Sequence, residues 1–119
     1  MAKTVKMITR LYTGADGESH FEDIDMPLIN KMSGRESEPI KVSSITYRET
    51  DGDFTEGFHC AAQKQLIIPI EGELEIVTGD GTTRRFGPGS ILLAEDTTGK
   101  GHISRDNGKP RMALKIVLA

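Results

Sequence analysis

Cysteine occurs once in the 119 residues, as Cys60. No internal disulfide can form, and nothing in that usage suggests an oxidising compartment. Long apolar runs are also missing. The opening stretch MAKTVKMITRLYTG lacks the apolar core of a signal peptide, and no segment reaches the length of a membrane span. The expectation is a cytoplasmic protein with no membrane partner. Basic clusters are absent too: the longest is Arg84-Arg85, in a chain of formal net charge −3. Gripping a phosphate backbone needs a clustered basic face, so nucleic acid is not an expected partner. Finally, no segment repeats its apolar residues with the 3.6-residue period of a helix.

Alternation of period two takes its place. With 36% hydrophobic and 28% charged residues, the chain reads as one ordinary globular domain over residues 1–119. RMALKIVLA puts Met112, Leu114, Ile116 and Leu118 on one face and starts the other with Arg111 and Lys115. GELEIVTGDGTTRRF reads as a hairpin, with Leu74 and Ile76 opposite Glu73 and Glu75 and a turn at Gly79-Asp80-Gly81. Further strands are expected at TVKMITRLY, IKVSSITYRE, QLIIPI and SILLAE. Pro69 removes a backbone donor inside QLIIPI, which points to a sheet edge or a bulge. Residues 26–39 are the least regular and read as a loop over the surface or the barrel mouth. Short strands punctuated by thirteen glycines and five prolines give an all-β sandwich or barrel.

The chemistry gathers around FHCAAQKQLIIPIEGELEIV and GSILLAEDTTGKGH. On a regular strand His59, Ala61, Gln63 and Gln65 share one face, and Cys60 turns the other way to pack between sheets. TGKG fails the spacing of a phosphate loop. Glu95, Asp96 and Asp106 surround His102, but no serine sits in a nucleophile elbow, which excludes acyl transfer of that type. Glu22, Asp23 and Asp25 read as a solvated strand face.

In these two stretches the sequence resembles the cupin superfamily, the RmlC-like jelly rolls also called double-stranded β-helix barrels. Its first signature, two histidines, a glutamate and a glycine, lies in register with His59, Ala61, Gln65 and Gly72, over about residues 59–72. The second runs from Gly89 through His102, over about residues 89–106. The resemblance implies a single jelly-roll barrel with a degenerate metal motif. Ala61 stands where a second imidazole is expected, and Gln65 where a carboxylate is.

Three functions follow as expectations from that resemblance. The first is a barrel that binds a small organic molecule and performs proton transfer, isomerisation or lyase chemistry. There His59 or His102 would pass a proton, Gln65 would orient the substrate or fix the imidazole tautomer, Gln63 would contact the ligand, and Tyr47 would donate a proton, stack, or simply fill the barrel. The second is an oxygenase or lyase that depends on a weakly held iron, manganese or zinc ion, with His59, Gln65 and His102 as ligands and His20 as the remaining histidine. The third is a passive ligand-binding or structural barrel. A homodimer is expected in each case, paired through an edge strand such as TVKMITRLY.

Overall fold

The structure, a computed structural model, describes residues 5–119; Thr4, at the start of the first expected strand, lies outside them. No described residue is helical, and no helix is long and apolar enough to cross a membrane. The strands in chain order begin with β1 (Val5–Thr13), β2 (Ser19–Pro27), β3 (Ile29–Lys31) and β4 (Gly34–Glu36). They continue with β5 (Val42–Thr50), β6 (Thr55–His59), β7 (Gln65–Glu71) and β8 (Leu74–Val77). β9 (Thr83–Phe86), β10 (Leu92–Ala94), β11 (His102–Asp106) and β12 (Arg111–Leu118) complete the set.

Two sheets face each other as a jelly roll. One has six strands in the order β2-β1-β10-β7-β12-β5, the other four in the order β6-β11-β8-β9. Pairing is antiparallel except between β1 and β10. The core sits between the sheets: Leu11, Leu74, Ile76, Phe86 and Leu92 are buried, with Phe21 and Ile67 packed against them. The β8–β9 hairpin has the expected alternation, with Leu74 and Ile76 inside. Of its turn glycines only Gly81 takes a positive φ, of 86°. Asp80 accepts from the Thr78 hydroxyl at 2.7 Å and from Thr82 N–H at 3.0 Å, which holds its carboxyl down at about 2.

Several expectations need correction. β1 is not an unpaired edge, since β2 and β10 cover both its sides; the free edges of the large sheet belong to β2 and β5. Pro69 lies in an interior strand, at an irregularity opposite Met112 and Ala113, so the bulge alternative applies. Residues 26–39 are not loop throughout: β2 runs on to Pro27, and β3 and β4 form a separate exposed hairpin with Met32 fully exposed.

The two faces of β12 are arranged against simple amphipathic logic. Arg111, Lys115 and Val117 line the space between the sheets. Leu114 and Ile116, one residue out of step, therefore point outward, in rows with Tyr47 and Ile45 of β5. The apolar stripe of this strand covers the outside of the roll.

A buried ion pair ties the start of β12 to the end of β11. Arg111 Nε donates to Asp106 Oδ1 at 2.9 Å, and that carboxylate also accepts from Thr50 Oγ1 at 2.8 Å and from Gly52 N–H at 2.9 Å. Burial alone would raise the Asp106 pKa, but these donors outweigh it and hold the group below its ordinary value. Its contribution to stability is therefore complete above the unfolded carboxylate pKa and is lost as pH falls through the lower folded one. Asp106→Ala strands Arg111 and should cost about 3–5 kcal/mol in urea unfolding at neutral pH. The variant's stability should also fall less steeply than the parent's on acidification below about pH 4.

Candidate functional site

The roll encloses a cavity of about 360 Å³ between its sheets. His59 ends β6 and His102 begins β11, and the two residues are direct partners across the antiparallel pair. Their rings lie 4.6 Å apart, tilted by 56°. Gly101 makes this approach possible. It has φ of 79°, and a Cβ there would fall 2.0 Å from the carbonyl oxygen of His59. Only a residue without a side chain fits beside that backbone.

Each imidazole is oriented by its own partner. His102 is 5% exposed, and its Nδ1–H donates to Asp96 Oδ2 at 2.5 Å. Asp96 is completely buried, accepts from Ser19 Oγ on the same oxygen at 2.6 Å, and leaves Oδ1 with no partner among the described residues. A proton held on Nδ1 leaves the lone pair of neutral His102 on Nε2. His59 is different. Its Nδ1–H donates to Gly57 O at 2.7 Å, and its Nε2 lies 3.3 Å from Glu56 Oε1. This ring therefore has an acceptor near each of its nitrogens.

β6 stops at His59, so strand alternation does not govern the residues that follow. Cys60, Ala61, Ala62 and Gln63 all border the cavity as a loop across its end. Cys60 is therefore not packed between sheets: it borders the cavity, and its thiol donates to Gly99 O at 3.2 Å. The backbone N–H of Ala61 donates to Asp96 O at 3.1 Å, which ties the loop to the turn before His102. Gln65, at the start of β7, lines the same cavity.

Two expected site residues lie elsewhere. His20 does not reach the other histidines: its ring pairs with Asp16 at 2.9 Å, stacks near Tyr12, and does not border the cavity. Tyr47 points outward, half exposed, and donates to Glu49 at 3.1 Å. Desolvation, aided by Glu49, pushes its phenol above the ordinary value, away from a proton shuttle near neutrality. Asp96 and Ser19 are the partners that sequence reasoning missed. The acidic residues near His102 were the signal for Asp96, whereas Ser19 arrives from a distant strand.

The donor set does not fit the metal expected from the resemblance. No three His, Cys, Asp or Glu side chains among the described residues are grouped to hold a cation. Ala61 offers no donor and Gln65 no charge, so the matched positions supply two imidazoles and no carboxylate.

Two facing sheets, with partnered histidines on adjacent strands pointing into the roll, decide the architecture. This is the cupin fold. No family model matches the chain, and no curated protein does. Among solved structures, protein NMB1881 from Neisseria meningitidis is similar with a TM-score of 0.50 and 16% identity, over 77% of this chain and 80% of that one. A conserved Streptococcus pyogenes protein, SPY1581, gives 0.49 and 16% over 100% and 80%. An RmlC-like cupin protein from Desulfovibrio desulfuricans gives 0.46 and 13% over 98% and 89%. At 16% identity the likeness to NMB1881 concerns fold alone.

The Asp96 contact makes a specific forecast. Nitrogen NMR of the neutral protein should find His102 protonated on Nδ1 with Nε2 bare. Asp96→Asn should redistribute that tautomer while far-UV circular dichroism stays unchanged; a Nε2–H tautomer in the parent would contradict the assigned bond.

Proposed function

We propose that the cavity binds a small organic molecule and that His102 moves a proton on it, as in an isomerase or lyase. The observation that carries this reading is the buried Asp96–His102 bond, which fixes the tautomer and leaves a basic nitrogen on an imidazole that lines the cavity. Neutral His102 takes a proton from the substrate on Nε2. The imidazolium that results is stabilised by the carboxylate on its other side. His59, held between Gly57 and Glu56, supplies positive charge or a proton at the neighbouring position. Gln65 and Gln63 supply amide contacts that position the ligand. The cavity volume falls within the usual range for small-molecule sites, about 300–1,000 Å³.

The lone cysteine and the proton-transfer chemistry suit a cytoplasmic enzyme acting on a metabolite. The test is solvent exchange. Small hydroxy- and keto-compounds incubated with the protein in deuterated water should lose a C–H signal for at least one member. His102→Gln should slow that exchange by about a hundredfold or more. Exchange at the parental rate in a folded His102→Gln protein would rule out this role.

We also propose a homodimer, paired through the outer face of the large sheet. Ile45, Tyr47 and Ile70 are exposed there beside the free edge of β5, and apolar surface of that kind favours a partner. Ile45→Glu should convert a dimer to a monomer in sedimentation; a parent already monomeric at high concentration would remove the proposal.

A further inference from the structure

We infer that the ligand is a small organic anion, whose charged group docks on Arg48 and Lys115 at the β5–β12 side of the cavity. This inference rests on the cavity-binding reading above and adds the substrate class. Arg48, Arg111 and Lys115 all line the cavity. Arg48 pairs directly with Ala113, whose neighbours on the same face of β12 are Arg111 and Lys115. Three cationic side chains thus share one wall, around an alanine that is 1% exposed.

Like charges so arranged repel one another unless something negative answers them. Arg111 is answered by Asp106 from behind the wall. Arg48 and Lys115 have no carboxylate partner among the described residues; the Arg48 guanidinium instead lies 4.9 Å over the ring of Phe54. Among the described residues the only carboxylate lining the cavity is that of Glu56, and it faces His59. The wall is cationic within a chain whose net charge is −3. A low-dielectric hollow with fixed charge of one sign concentrates ligands of the other. Carboxylates and phosphates share the oxyanion geometry that a guanidinium and an ammonium recognise.

Anchored there, an anionic group leaves the remainder of the ligand within the hollow that His59, His102 and Gln65 also line. Arg48 and Lys115 are in this sense specificity residues, and the proton chemistry stays with the histidines.

The test uses the whole protein at low ionic strength, with succinate, its uncharged analogue succinamide, and inorganic phosphate as probes. Binding is read by calorimetry and by the ring signals of His59 and His102. Succinate or phosphate should bind, and succinamide should bind at least about tenfold more weakly. Arg48→Gln and Lys115→Gln should each weaken the anion by about tenfold, with folding checked by circular dichroism. Preference for phosphate over succinate assigns a phosphate ester, and the reverse preference an organic acid. Anions that fail to bind, or that bind both variants as well as the parent, overturn the inference. Succinamide moving the histidine signals as strongly as succinate also overturns it, while leaving the cavity-binding reading intact.

Discussion

A carboxylate sealed from water must be met by donors, and the donors of Asp96 join parts of the chain that no strand pairing connects. Ser19 at the head of β2 and His102 at the head of β11 both donate to its Oδ2, and its main-chain carbonyl takes the N–H of Ala61. One residue thereby fixes the first turn of the roll, the loop across the cavity end and the orientation of an imidazole. Both side-chain bonds fall on one oxygen, and the other, buried, has none among the described residues. An unpartnered buried acceptor costs stability, and such costs gather where geometry is needed for chemistry. Without this anchor the His102 ring would be free to turn, and the pair it makes with His59 would lose its definition.

The roll also separates its two tasks along its length. Leu11, Ile76 and Phe86 pack one part of the interior, while Leu74 and Leu92 belong both to that core and to the cavity lining. Beyond those two leucines the lining mixes apolar residues such as Ile67, Ala94 and Val117 with polar and charged ones. A wall that carries Arg111 and Lys115 contributes little hydrophobic stabilisation, so the small core and the buried Arg111–Asp106 pair must hold this end together. In that lining Arg111, His59 and His102 are held by fixed partners, whereas Arg48 and Lys115 have no carboxylate partner among the described residues.

Much of the architecture was legible in the sequence, for a physical reason. Period-two alternation and glycine turns are local, and β7, β8, β9 and β12 announce themselves within a few residues. The His59–His102 meeting was legible from motif register. Which face of a strand turns inward is not local: Leu114 and Lys115 are equally good candidates until the neighbouring strands are known. The same uncertainty placed Tyr47 inside the barrel and left His20 within reach of it. The cationic wall had no local signal at all, because Arg48 and Arg111 are far apart in the chain and meet only through the β5–β12 register. Ser19 escaped notice likewise, as an ordinary polar residue whose partner lies 77 positions away.

Ala61 is nearly buried at the edge of the hollow, where the family pattern carries an imidazole. A methyl group in that position leaves room that a ring would fill. What reads in the motif as a missing grip on a cation is, in three dimensions, vacated space next to His59 and His102. The departure from the pattern thus bears on the shape of the hollow as much as on its donor set, and an imidazole at this point would take up part of the space that His59 and His102 border.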